Sequence, residues 1–219
     1  MRVYFVRHGE AEGNVNMVCH GQYDGKLTQK GREQAALTAQ ALRNVKFDSI
    51  YSSDLQRAYD TALAIAQGRG ISVIKDIGLR EISVGEWENK SWDYIDANYK
   101  EEYDLWKTKP HLMKSPGGES MPEVQKRIVA AVRRILDKTG ENDTICIVSH
   151  CCVLKNLLCY YLKRPLSRLN DIWITNASYS IVDFSGGEAK VVSISCDEHL
   201  KELGVIAAPP WNKNNEKEK

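Results

Sequence analysis

The chain has 219 residues, and its 30 lysines and arginines nearly balance its 29 aspartates and glutamates, which gives a formal net charge of +1. This length favours a single domain and allows a full core without disulfide or metal staples. The charge balance argues against a nucleic-acid or membrane-surface protein, and no apolar run in the sequence is long enough to cross a bilayer.

The first half of the chain alternates apolar runs with helical patterns. The opening run at 3–6 is too short for a signal peptide and is broken by Arg7, so we expect a cytoplasmic protein. Thr28 is placed to cap the first helix, and Ser53 and Gln56 have capping-box spacing for the second. The pattern predicts strands at 3–6, 47–53 and 71–76, and helices at 28–44 and 53–68.

The second half opens with a stretch rich in tryptophan and tyrosine, between Gly85 and Gly118, that has no clean amphipathic period. A strong helix follows, with Ser120 and Glu123 at capping-box spacing. Gly186 and Gly187 mark a turn between the last two strands. The pattern predicts helices at 120–140 and 152–162, and strands at 144–150, 178–184 and 189–195.

This alternation of strands and helices predicts an α/β fold, with a largely parallel central sheet flanked by helices in a three-layer sandwich. We expect one domain over 1–205, with a lid-like insertion at about 86–118. The last residues, 206–219, are polar and broken by prolines, so we expect a disordered tail there.

Two apolar strands, "VYFVRHG" and "ICIVSHC", both end in histidine. Ligands of parallel α/β sheets bind beyond the carboxyl ends of the strands. If these two strands are neighbours, His8 and His150 meet in one crevice. A single histidine at a strand end is more often a hydrogen-bonding cap, but two on matching strands favour a functional site.

Cations gather at the same edge of the predicted sheet. Arg7 directly precedes His8, and Arg57 lies in the first turn of its helix, where the helix dipole favours anions over cations. Two guanidiniums and two imidazoles suit a phosphoryl group. Glu81, after a further strand, could supply the acid that a leaving oxygen needs.

Other chemistries find less support in the sequence. It contains no nucleotide-binding P-loop, no G-x-G-x-x-G and no G-x-S-x-G. A metal site built from His8, Glu10, His150 and Cys151 is conceivable, but the metal-ligand patterns His-x-His and H-E-x-x-H are absent. We therefore expect no metal and no cofactor.

Six motifs occur in a fixed order: "RHGEAEGN", "LTQKGREQA", "SSDLQRAYDTA", "LREISVGEWENKS", "GGES" and "IVSH". Together they resemble the histidine phosphatase superfamily, the phosphoglycerate mutase-like group, from Arg2 to about Phe184. The resemblance implies a phosphoglycerate mutase-like fold and a phosphohistidine mechanism without a metal ion.

The resemblance also implies roles for individual residues. His8 would be the nucleophile, Glu81 the proton donor to the leaving group, and Arg7, Arg57 and His150 the ligands of the phosphoryl oxygens. Four further residues match positions of the family's phosphate pocket: Asn14, His20, Gly21 and Cys151. The family more often has serine or glutamine at the position of His20 and glycine at the position of Cys151.

His8 must attack as a neutral imidazole. Two nearby cations should lower its pKa, and a backbone carbonyl should hold its other ring nitrogen.

The core motifs do not separate phosphatases from mutases. Family mutases carry a Glu-Arg-x-Tyr-Gly stretch and an arginine pair on the lid, whereas this chain has "EISVGEWE" and only lysines among the basic lid residues. We expect a phosphomonoesterase of small phosphorylated metabolites, similar to the broad-specificity and α-ribazole phosphate phosphatases. Phosphoglycerate mutase is the first alternative and a non-catalytic phosphate-binding module the second. No nucleic-acid or membrane partner is expected, and a homodimer stays open.

Overall fold

The fold is built on one six-stranded sheet. The computed structural model describes residues 1–203, and the tail predicted at 206–219 lies outside the described residues. A separate pair of two-residue strands lies beside the sheet. In chain order the strands are β1 (Arg2–Arg7), β2 (Val18–Cys19), β3 (Ser49–Ser52), β4 (Val73–Lys75), β5 (Lys90–Ser91), β6 (Thr144–Ser149), β7 (Tyr179–Ser185) and β8 (Glu188–Cys196).

The helices follow the predicted alternation with the strands. Within residues 1–203, five short 3-10 helices lie at Ile77–Leu79, Gly85–Trp87, Pro110–Leu112, Leu166–Asp171 and Glu198–Leu203. The α-helices are α1 (Glu12–Val15), α2 (Gln29–Ala41), α3 (Gln56–Ala66), α4 (Trp92–Asn98), α5 (Lys100–Thr108), α6 (Met121–Leu136) and α7 (Cys151–Tyr161).

The strand order of the main sheet is β4-β3-β6-β1-β7-β8. Strands β4, β3, β6 and β1 are parallel to one another, β7 pairs antiparallel with β1, and β8 pairs antiparallel with β7. The prediction of a largely parallel sheet is therefore confirmed. β1 and β6 are direct neighbours, and their register pairs Arg7 with Ser149, so both strands end at the same edge.

The side chains of β1 alternate between two cores. Val3 and Phe5 pack on the face that α6 and α7 cover, whereas Tyr4 and Val6 pack with residues of α3 on the other face. A strand buried on both faces has no polar side to show, which explains its unbroken apolar sequence. Helices on both faces complete the three layers that were predicted.

Two of the predicted helix starts differ in outcome. Thr28 caps α2, since its hydroxyl accepts a hydrogen bond from the Gly31 N–H at 2.9 Å. The predicted capping box at Ser53 is wrong, because α3 begins at Gln56 with Leu55 as its N-cap. The Ser53 side chain is used elsewhere.

The segment 86–118, predicted as a lid, contains α4 and α5 and is tied to the domain by the pairing of β5 with β2. Its aromatic residues divide between two positions. Trp87 and Tyr103 are buried in the core, while Trp92 and Trp106 line a cavity. Its role as a lid stays a prediction. In residues 1–203, no helix is long and apolar enough to span a membrane.

Candidate active site

His8 and His150 follow the carboxyl ends of the neighbouring strands β1 and β6, and their ring centroids are 5.0 Å apart. Both side chains are buried, at 5 % and 0 % exposure. The backbone N–H of His8 donates to the Ser149 carbonyl at 3.1 Å, which extends the β1–β6 pairing to the histidines themselves. The predicted meeting of the two imidazoles is confirmed.

The His8 ring is fixed by the peptide that follows it. Its Nδ1 lies 2.6 Å from the Gly9 carbonyl oxygen. A carbonyl can only accept a hydrogen bond, so Nδ1 carries the proton and Nε2 keeps its lone pair. The Gly9 peptide is held in turn by the Thr61 hydroxyl, which accepts from the Gly9 N–H, and by the Asn176 amide, which donates to the Gly9 carbonyl. The backbone-carbonyl partner expected for His8 is therefore confirmed.

The His150 ring is fixed from the opposite side, by Ser53. Its Nε2 lies 2.9 Å from the Ser53 hydroxyl, which also accepts from the Leu55 N–H. Within the described chain the Ser53 hydroxyl proton has no other acceptor, so it donates to Nε2 and places the imidazole proton on Nδ1. That Nδ1 is buried and has no hydrogen-bond partner among residues 1–203. A buried donor of this kind fits an anionic ligand.

Arg7 and Arg57 are both buried, at 8 % and 3 % exposure. Arg7 donates to the Ile174 carbonyl at 2.6 Å. Arg57 donates to the carbonyls of Gly21 and Tyr23, both at 2.8 Å. These partners are neutral, so they orient the two guanidiniums without cancelling their charge.

The surroundings hold both histidines in the neutral form. Burial, and next the guanidiniums of Arg57 and Arg7, hold the pKa of His8 well below its ordinary value. Burial and Arg57 have the same effect on the pKa of His150. The predicted lowering for His8 is confirmed, but its largest single cause is desolvation rather than either cation.

Glu81 lies in the loop after the 3-10 helix Ile77–Leu79 and lines the same cavity as His8. Its carboxylate accepts from the backbone N–H groups of Ile82, Cys152 and Val153, at 3.0, 3.2 and 3.2 Å. Two of these donors belong to the first turn of α7, where the helix dipole favours an anion. The carboxylate is therefore positioned by backbone atoms rather than by a cation.

The four residues matched only through the family resemblance also line this cavity. The Asn14 side-chain oxygen accepts from the Ala11 N–H at 2.9 Å. His20 has a pKa lowered by burial and by Arg57. The Gly21 carbonyl holds Arg57, and Cys151 is the first residue of α7.

The cavity has a volume of about 280 Å³. At one end it is lined by the charged and imidazole side chains described above. The lining also includes apolar side chains, among them Trp92 and Trp106 from the segment 86–118. It also contains one further cation, Lys155 of α7, whose ammonium nitrogen lies 5.5 Å from the ring centroid of Trp173.

Sequence reasoning missed several residues that position this site. The spacing of Ser53 to Gln56 predicts a helix cap instead. The pattern around Arg127 predicts only a helix, although Arg127 donates to the backbone carbonyls of Gly78, Arg80 and Glu81. No sequence pattern singles out Asn176 or Lys155 as a site residue, because each is polar but stands alone in its segment. Only their positions could have drawn attention to them, since Lys155 lies on the helix after β6 and Asn176 lies shortly before β7.

The described residues contain no cluster of side chains that supports the metal alternative. The Glu10 carboxylate accepts from the Thr28 hydroxyl at 2.7 Å. Among residues 1–203, no group of three or more histidine, cysteine, aspartate or glutamate side chains is arranged to hold a metal ion.

Comparison with known proteins matches residues 3–197 to the histidine phosphatase superfamily (branch 1). Phosphoserine phosphatase 1 of Hydrogenobacter thermophilus is 32% identical over 207 residues, covering 94% of this chain and 98% of the relative. A probable phosphoglycerate mutase of Yersinia pestis is 34% identical over 184 residues, covering 84% and 85%. The solved structure of Bacillus stearothermophilus YhfR is 34% identical, with a TM-score of 0.88 over 91% of this chain and 98% of that one.

Proposed function

The chain belongs to the histidine phosphatase superfamily, and from that membership we propose that it is a phosphomonoesterase that hydrolyses small phosphorylated metabolites through a phosphohistidine on His8, without a metal ion. The observation that carries the proposal is the neutral, carbonyl-held imidazole of His8 beside two uncancelled guanidiniums. The phosphoserine phosphatase relative, matched over almost its whole length, supports hydrolysis.

In the first step the lone pair on His8 Nε2 forms a bond to phosphorus, and the ester P–O bond breaks. Glu81 enters this step in its protonated form and gives its proton to the leaving oxygen, so that the product departs as the neutral alcohol. In the second step water attacks phosphorus, Glu81 accepts its proton, and the P–N bond breaks to return neutral His8 and inorganic phosphate.

The phosphoryl oxygens would be bound by Arg7, Arg57 and His150. Charge spreads over three equatorial oxygens in the phosphoryl transition state, so fixed cations and donors supply most of the catalysis. The unpartnered Nδ1–H of His150 supports this role, since it would gain its missing acceptor from the substrate. Asn14, His20, Gly21 and Cys151 would complete the pocket.

Hydrolysis is favoured over the mutase alternative by the charges of the segment 86–118. Lys100 and Lys107 pair with Asp104, at 2.7 and 2.9 Å, and Lys114 pairs with Glu123 at 2.9 Å. No lysine of this segment is among the residues that line the cavity. A mutase needs several cations that retain a charged phospho acid between two transfers, whereas the segment 86–118 contributes Trp92 and Trp106 to the cavity wall.

The proposal is tested by hydrolysis of p-nitrophenyl phosphate in EDTA, with wild type and His8→Ala. We expect turnover in the wild type, none in the variant, and a mass increase of one phosphoryl group on the wild type after an alkaline quench. Loss of turnover on chelation would favour a metal mechanism. Binding of phosphometabolites without any turnover would favour the non-catalytic module.

The mutase alternative is tested with 3-phosphoglycerate and its bisphosphate primer. Release of inorganic phosphate supports the phosphatase, whereas movement of the phosphoryl group to the 2-position supports the mutase. The near balance of charge supports a small-molecule partner over nucleic acid. A cytoplasmic location stays a prediction.

A further inference from the structure

Lys155 lies on the same face of α7 as Cys151, the residue that follows His150. It lies four residues after Cys151 on α7, and both residues line the cavity. Residues i and i+4 of a helix lie on one face, about 6 Å apart along the axis. Lys155 is therefore about one helical turn from the point where the phosphoryl group would bind.

The Lys155 ammonium carries a charge that no acid cancels. It is half-buried and has no ion pair among residues 1–203. Asp171, the acidic residue of the neighbouring 3-10 helix Leu166–Asp171, is paired with Arg168. The ammonium nitrogen lies 5.5 Å from the ring centroid of Trp173, which is within cation–π distance.

The lining of the cavity that contains this lysine suits a short, partly apolar group that ends in an anion. Trp92, Trp106 and Leu169 provide apolar contacts, and Asn170 is a polar lining residue that can hydrogen-bond. A single ammonium matches the single charge of a carboxylate, whereas a second phosphate would call for several cations, as at the catalytic end.

We propose that Lys155 is a specificity-determining residue that binds a carboxylate on the alcohol part of the substrate. The preferred substrates are then phosphate monoesters of hydroxy carboxylic acids. This inference rests on the proposed phosphatase function. The phosphoryl group would contact Arg7 and Arg57, and the carboxylate would contact Lys155, so the two anionic ends would orient the ester between them.

The test compares two isosteric esters, 2-phosphoglycolate and its amide, 2-phosphoglycolamide. We expect kcat/KM of the wild type to be about tenfold higher for the carboxylate, as one charge-assisted hydrogen bond provides. Lys155→Met should lower this ratio about tenfold, while Lys155→Arg, which keeps the charge, should retain most of it. The control is Lys126→Met on the exposed face of α6, which should keep the wild-type ratio.

The outcomes separate this inference from the function on which it depends. If both esters are hydrolysed and His8→Ala abolishes hydrolysis, but Lys155→Met keeps the wild-type ratio, the assignment of Lys155 is wrong and the phosphatase stands. An equal fall of the ratio in Lys126→Met would also overturn the assignment. If the wild type releases phosphate from neither ester nor from p-nitrophenyl phosphate, the proposed function fails, and the inference fails with it.

Discussion

Replacing Gly31 by alanine should displace the backbone that holds His8. A Cβ atom on Gly31 would lie 1.9 Å from the Glu10 carbonyl oxygen, whereas real Cβ contacts start near 3.0 Å, so the carbonyl must move by about 1.1 Å. The clashing atoms belong to the backbone and cannot rotate away. Overpacking of this kind costs about 1–3 kcal/mol, which at least offsets the gain of up to about 1 kcal/mol that alanine brings over glycine in a helix.

The displacement reaches the nucleophile directly. Glu10 follows Gly9, whose carbonyl oxygen fixes the His8 Nδ1 at 2.6 Å. A misplacement of about 1 Å at a catalytic group can lower the rate about 100-fold. We therefore expect Gly31→Ala to lower kcat/KM for p-nitrophenyl phosphate by about 100-fold, and to lower the free energy of unfolding by up to about 2 kcal/mol.

Steady-state hydrolysis and urea unfolding measure the two effects. Lys30→Ala is the matched control, since it changes the neighbouring residue of α2 and should keep both values within the scatter of a surface substitution, about 0.5 kcal/mol. A Gly31→Ala variant with wild-type kcat/KM, or one stabilised by about 1 kcal/mol, would refute the packing argument.

Two further predictions concern the histidines. Ser53→Ala should lower kcat about tenfold, because His150 loses the hydroxyl that keeps its proton on Nδ1, and Ser53→Thr should restore most of the rate; an unchanged kcat in the alanine variant would contradict this role. The pKa values of His8 and His150 are lower in the folded protein than in the unfolded chain, so the unfolded chain binds more protons at low pH. The free energy of unfolding should therefore be highest above about pH 7 and fall as the pH drops below about 6.5. The fall should reach up to about 1.4 kcal/mol per pH unit for each histidine. Urea midpoints between pH 7.5 and 5.5 measure the slope, which His8→Gln should reduce; equal slopes in wild type and variant would contradict the linkage.

The catalytic end of the site could be predicted from the sequence because it depends on local features. An apolar run that ends in Arg7 and His8 is readable as a buried strand with polar residues at its carboxyl end. The same holds for the run before His150. Parallel pairing then brings the two ends together, and this outcome needs only that the strands be neighbours.

The rest of the site depends on contacts that leave no periodic trace. Ser53 and His150 are 97 residues apart, and the spacing of Ser53 to Gln56 pointed to a helix cap instead. Trp92 lines the cavity while Trp87, five residues earlier, is fully buried, because the two lie on different elements of an irregular segment. Sequence composition alone cannot separate such neighbours.

The arginines show how the fold prepares a charge for an anion. Carboxylate partners would have oriented Arg7 and Arg57 equally well, but they would also have neutralised them and competed with phosphate. The backbone carbonyls of Ile174, Gly21 and Tyr23 hold the guanidiniums in place and leave their positive charge available. These hydrogen bonds orient both guanidiniums within the protein itself, without help from a substrate. Little reorganisation then remains for the moment of phosphoryl transfer, which is the condition for efficient electrostatic catalysis.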